Sequence, residues 1–256
     1  GHLTGVLAGH EFQEAFKNLR DLIFLGNNLD GWRERLVVYG DIKPEPDETF
    51  RVVVDGADVV GLNAADGKLL WEIPFAVSGR GYNASTPIAS GNVLIYCGSG
   101  RGANAVRIEK TAQGFALKEL WKNPDHSVQF NTPVLKDDRL YGLSADNILF
   151  CVNAKNGQTG WTAPLARAAA AASEPPAGRA QGGRGGRPGF GSVVDAGPVL
   201  MVLSPESELV VFQPSQTAFN EVSRVKVAPS PTYAHPVVSG SRLIVKDQDA
   251  VMLYTL

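Results

Sequence analysis

The sequence predicts an all-β protein: a β-propeller of four-stranded antiparallel blades, about four to five in this chain, preceded by one amphipathic helix. Three observations predict it. A strand–turn–strand segment recurs four times, a polar turn and a third apolar strand follow it in phase, and a Trp marks a fourth strand in several units. Short β-rich runs separated by Gly, Asn or Asp are hairpin signals, and four such strands every ~40–45 residues is the spacing of a propeller blade.

Composition sets the outer limits. The chain has 256 residues, 44% hydrophobic and 20% charged, which is ordinary globular composition. A net charge of −2 leaves no global basic footprint for nucleic acid. No run of about 18 apolar residues is present, so no membrane-spanning helix is predicted. Two cysteines, Cys97 and Cys151, exclude a disulfide scaffold and a Cys-rich metal site.

The helix comes first. Phe12, Ala15, Phe16, Leu19, Leu22 and Ile23 fall on one face, with Glu14, Lys17, Arg20 and Asp21 opposite, and Gly26 stops the pattern. The opening Gly1-His2-Leu3 lacks the basic start of a signal peptide, so no signal peptide is recognised in this chain. Leu36-Val37-Val38-Tyr39 is the early candidate for a strand that closes the ring. Residues 1–50 are therefore expected to form an N-terminal helix and a possible closing strand, and 51–256 the blades.

The repeat begins at Pro87, Pro133, Val193 and Pro236. From each, a strand, a turn and a second strand run without gaps, as in Pro133-Val134-Leu135-Lys136-Asp137-Asp138-Arg139-Leu140-Tyr141-Gly142. Polar turns follow at Ser144–Asn147, Ser204–Ser207 and Asp247–Asp249. Third strands are predicted over Ile148–Asn153, Leu209–Phe212 and Val251–Tyr254. Fourth strands contain Trp71, Trp121 and Trp161. After Gly26 no segment has helical periodicity, which argues against parallel βαβ units.

Two segments carry a resemblance. Asn63-Ala64-Ala65-Asp66-Gly67-Lys68-Leu69-Leu70-Trp71 and Asn153-Ala154-Lys155-Asn156-Gly157-Gln158-Thr159-Gly160-Trp161 resemble the A-x-(D/N)-G-x-x-x-W blade signature of the pyrroloquinoline-quinone-like propeller repeat. The resemblance implies that Gly67 and Gly157 make a tight turn between third and fourth strands. It also implies that Trp71, Trp121 and Trp161 are blade-docking residues rather than a ligand site, because a propeller axis holds one ligand while these Trp residues recur. The family contains quinone-dependent dehydrogenases, a lipoprotein of outer-membrane protein assembly, and bacterial proteins without assigned activity. It usually has seven or eight blades, whereas 51–256 holds a little over four.

Residues 167–188 stand outside the repeat. An alanine run, Pro175-Pro176 and Gly182-Gly183-Arg184-Gly185-Gly186-Arg187-Pro188 offer no core-forming surface, so a disordered insertion between blades is expected. Its Arg–Gly character at 179–187 is a weak nucleic-acid signal, and no nucleic-acid partner is expected.

Catalytic patterns are thin. There is no P-loop, H-E-x-x-H or G-x-S-x-G. His2, His10, His126 and His235 are isolated, and Asp137-Asp138 and Asp247-x-Asp249 fall in turns, where Asp belongs for backbone reasons. The adjacent Cys pair expected of an alcohol-oxidising quinoprotein is missing. No catalytic or metal-ligating residue is assigned. The expectation is a non-catalytic scaffold that presents loops or an axial face to a protein or envelope component, with no cofactor. By family analogy it is periplasmic or extracellular. The alternative is part of a quinone-dependent oxidoreductase holding pyrroloquinoline quinone with calcium.

Overall fold

The structure is a computed structural model that describes residues 41–45, 48–54, 58–63, 66–77, 83–165 and 190–256. The predicted N-terminal helix, the Leu36–Tyr39 strand and the insertion at 167–188 lie outside the described residues.

Every regular element described is a strand. Blade 1 is β1 (Asp41–Glu45), β2 (Glu48–Val54), β3 (Asp58–Asn63) and β4 (Leu69–Pro74). Blade 2 is β5 (Ile88–Ser90), β6 (Val93–Cys97), β7 (Ala103–Thr111) and β8 (Gly114–Asn123). Blade 3 is β9 (Val134–Lys136), β10 (Arg139–Leu143), β11 (Ile148–Asn153) and β12 (Thr159–Pro164). Blade 4 is β13 (Ser192–Asp195), β14 (Leu200–Leu203), β15 (Glu208–Gln213) and β16 (Asn220–Lys226). Blade 5 is β17 (Val237–Ser239), β18 (Arg242–Lys246) and β19 (Val251–Thr255). Each blade is a sequential antiparallel meander. This is the β-propeller that the sequence predicts, with each repeated segment forming the first and second strands of a blade.

Local chemistry explains the hairpins. Between β9 and β10 the chain reverses on Asp137 and Asp138, at φ 49° and 57°. Two left-handed residues give the turn whose twist matches the flanking strands, and Asp tolerates that conformation. The second strands β6, β10 and β14 are buried along nearly their whole length. They lie mid-blade with a neighbouring blade on each face, so they read as continuous apolar runs such as Val93-Leu94-Ile95-Tyr96-Cys97.

Among the described residues the core is four seams between consecutive blades. Val52, Val59, Trp71 and Phe75 of the blade 1 side meet Leu94, Tyr96, Val106 and Ile108 of blade 2. Ile95, Ala105 and Trp121 meet Leu140, Phe150 and Val152 of blade 3. Tyr141, Leu149 and Trp161 meet Val193, Leu200, Val210 and Phe212 of blade 4. Met201, Leu203 and Leu209 meet Leu243 and Val245 of blade 5. The first strands of blades 3 and 4 are tied where they converge. There, Lys136 Nζ donates to Asp195 Oδ1 at 2.8 Å and to Gly197 O at 2.6 Å.

Two elements differ from expectation. The first blade begins at Asp41 rather than Arg51, because β1 and the start of β2 precede that boundary. Ile42-Lys43-Pro44-Glu45-Pro46 carries prolines that hide a strand signal, yet Pro is tolerated in an edge strand. Blade 4 has a fourth strand, β16, with no Trp and an almost wholly exposed pattern. It is a strand because β15 pairs with it from Glu208↔Lys226 to Gln213↔Asn220, not because of its own hydrophobic period.

Candidate functional site

The three Trp residues are all buried, at 5–7% exposure, each in a different seam. Trp121 reaches into blade 3, where its indole Nε1 donates to Ala154 O at 2.8 Å. Trp161 does the same into blade 4, donating to Ser215 O at 2.9 Å. Both acceptors lie in the turn between third and fourth strands of the following blade. Gly67 and Gly157 occupy that turn in blades 1 and 3, at φ 73° and 74°. Their surroundings differ. A Cβ on Gly157 would meet the ring of Trp121 at 2.7 Å, whereas one on Gly67 would meet nothing described within 4 Å. The turn glycine of blade 3 thus forms the floor on which the preceding blade's Trp lies.

Asn123, two residues after Trp121, was not singled out by the sequence. It is buried, and its Nδ2 donates to Gly157 O at 2.8 Å and Thr159 Oγ1 at 3.2 Å. Its Oδ1 accepts from Asp125 N and His126 N at 3.1 and 3.2 Å. One amide therefore pins the connection after blade 2 to the turn of blade 3. The equivalent position in blade 3 is Ala163, so no repeat signal marks it.

An open cleft of about 620 Å³ lies between blades 1 and 2, lined among others by Glu72, Tyr96, Arg101, Asn104, Glu119 and Lys122. The Arg101 guanidinium lies 3.9 Å from the centre of the Phe75 ring. It donates to Phe75 O at 2.6 Å and to Asn83 Oδ1. Lys122 pairs with Glu119 at 2.6 Å. Burial, with a smaller push from Glu119, raises the Tyr96 hydroxyl to about 12.

The remaining candidate nucleophiles are held protonated at neutral pH. Burial raises the Cys97 thiol to about 12 and the Cys151 thiol to about 11. The two are free and lie in different seams. His126 stacks on Phe150 with ring centres 4.9 Å apart, and its Nε2 is 2.9 Å from Thr159 Oγ1. Desolvation holds its imidazole below the usual range, against an opposing pull from Asp125. Asp137-Asp138 and Asp247-x-Asp249 do form turns. Among the described residues no group of three or more His, Cys, Asp or Glu is placed to hold a metal ion.

Fold and seams together define a quinoprotein-like β-propeller whose recurrent residues join blade to blade. More particularly, the chain belongs to the family described as outer membrane protein assembly factor BamB, whose model matches residues 33–163. Among solved structures it is similar to that of BamB from Moraxella catarrhalis. That match has 12% identity and a TM-score of 0.39, covering 83% of this chain and 70% of the other. No curated protein matches the chain.

Proposed function

We propose that the chain is a non-catalytic scaffold of the bacterial envelope, exported to the periplasm, that presents its blade ends to a protein partner. The observation that carries this reading is the placement of the repeat's signature residues. Trp71, Trp121 and Trp161 each lie in a separate seam, so none shares a ligand with another. Their burial goes into rigidity, and rigid blades leave the turns and connections as the variable surface, where binding usually resides. The family's description, an outer-membrane protein assembly factor, supports a protein partner and an envelope location.

The alternative, a domain holding pyrroloquinoline quinone with calcium, needs an oxygen-rich cation site and a surface on which the quinone stacks. What supports the scaffold reading over it is that, among the described residues, no three His, Cys, Asp or Glu are placed together to hold a metal ion and the Trp rings are buried against the next blade. Adding the quinone and calcium to the purified chain tests the choice. The scaffold reading expects an unchanged melting temperature and absorbance spectrum. A rise of several degrees with a new chromophore band would refute it.

A further inference from the structure

Three aromatic side chains form an arc that belongs to none of the seams. Phe130, Phe190 and Tyr233 each stand three residues before the repeat's starting position in blades 3, 4 and 5. Phe130 stacks on Phe190 with centroids 4.1 Å apart and planes at 18°, and Phe190 meets Tyr233 edge-on at 5.2 Å. The arc therefore crosses three blades where their first strands converge. It is open to solvent, with Tyr233 38% exposed.

The same end of the blades carries buried oxygens with no hydrogen-bond partner. They are Ser85 Oγ, Asn131 Oδ1, Asn147 Oδ1 and Asp247 Oδ2. Ser85, Asn131 and Asp247 are each more than nine-tenths buried. Their other polar atoms are engaged where they can be: Asn131 Nδ2 donates to Leu143 O, and Asp247 Oδ1 accepts from Asp249 N and Ala250 N. Amide and carboxylate oxygens can only accept, and an unpaired buried acceptor is costly. Ser85 and Asn131 occupy one repeat position, directly beside the arc residue of blade 3.

Charge in these turns is mainly acidic, with the Lys246 ammonium at the end of β18 taken up by Asp247 O and Gln248 O. The third residue of the turn between second and third strands is Asp146, Glu206 and Asp249 in blades 3, 4 and 5, and all three are exposed. Asp125 adds a fourth carboxylate. The turns and connections described here contain one guanidinium, that of Arg101, which is already engaged by Phe75 O and Asn83.

We propose that this end of blades 3 to 5 binds an extended, arginine-bearing segment of a partner protein; the proposal rests on the scaffold reading. A guanidinium is the side-chain group that answers both the exposed aromatic arc and the exposed carboxylates. Its flat face stacks on Phe and Tyr, and its fork of N–H donors serves the carboxylates. A lysine ammonium answers the charge but not the aromatic plane.

The test uses the full chain and fluorescein-labelled octapeptides of alternating Gly with Arg, Lys or the neutral isostere citrulline, read by anisotropy. The Arg peptide is expected to bind, the Lys peptide several-fold more weakly, and the citrulline peptide not at all. Combining D146N, E206Q and D249N should weaken Arg-peptide binding at least tenfold. Tyr233→Ala should narrow the Arg–Lys gap without moving the melting temperature. Equal binding of Arg and Lys peptides, unaffected by Tyr233→Ala, would overturn the proposal in favour of plain charge attraction. A dimer abolished by Tyr233→Ala would overturn it in favour of a second copy of the chain. Photo-crosslinkers placed in cells at Ala145, on this end, and at Asn92, on the opposite end, separate this proposal from the scaffold reading. A discrete protein adduct at Ala145, competed by the Arg peptide, supports both. An adduct at Asn92 alone overturns this surface and keeps the scaffold, and no adduct at either site overturns both.

Discussion

Gly157→Ala offers a measurement of how blades 2 and 3 are joined. At φ 74° an added Cβ costs about 1–2 kcal/mol through left-handed backbone strain alone. The same Cβ would sit 2.7, 2.8 and 3.0 Å from Cε3, Cδ2 and Cγ of Trp121, inside the ring's contact surface. Trp121 is buried and tethered through Nε1 to Ala154 O, so it cannot swing clear. Overpacking of this kind adds about 1–3 kcal/mol, for a total near 2–5 kcal/mol. Gly67→Ala is the internal control. It has nearly the same φ of 73° and no described neighbour within 4 Å, so it should cost only the strain, about 1–2 kcal/mol. Urea midpoints of both variants, repeated in a Trp121→Ala background, complete a double-mutant cycle. Without the indole, the Gly157→Ala penalty should fall to that of Gly67→Ala. Equal penalties for the two glycines in the wild-type background, or a Gly157→Ala penalty untouched by Trp121→Ala, would refute the claim that this turn is the floor of the Trp site.

Other outcomes follow from single sites. Cys97 and Cys151, buried and with raised thiol pKa values, should resist iodoacetamide at pH 8 in the native chain and both react once it is denatured; labelling of either in the native chain would contradict their burial. Backbone N–H groups of Ala250 and Asp249, with help from Ser230, hold Asp247 below the usual carboxylate range. Its contribution to stability should be complete above about pH 4 and lost as pH falls through the lowered value, so Asp247→Asn should flatten the acid limb of a melting-temperature profile. Arg224 joins Glu208 at 3.0 Å, Glu221 at 2.9 Å and, across the seam, Leu165 O at 2.8 Å. Arg224→Met should therefore lower stability by about 1.5–3 kcal/mol, the range for hydrogen bonds to a charged group, and an unchanged urea midpoint would show the cluster to be idle.

The fold was legible because a blade is mostly local. A hairpin announces itself through short apolar runs and the residues its turn demands. Asp137-Asp138 between β9 and β10 is such a pair, and the in-phase copies at Pro87, Pro133, Val193 and Pro236 multiply the signal. The Trp recurrence showed likewise that these rings belong to the framework of a repeat. Two strands escaped. β1 has prolines where a strand pattern should be, and β16 is held by pairing to β15 rather than by any apolar period. The site was far less legible, because its contacts join residues about one repeat apart, across a seam that no local pattern encodes. Gly67 and Gly157 are equivalent in sequence and in φ, and only packing against the neighbouring blade distinguishes the open one from the one beneath Trp121. Asn123, Arg224 and the arc of Phe130, Phe190 and Tyr233 have no motif, since each is defined by what a second blade brings to it. Sequence alone thus determined the kind of unit and its phase. Tertiary structure decided which side chains meet, because the meeting depends on the angle and distance at which one rigid blade is laid against the next.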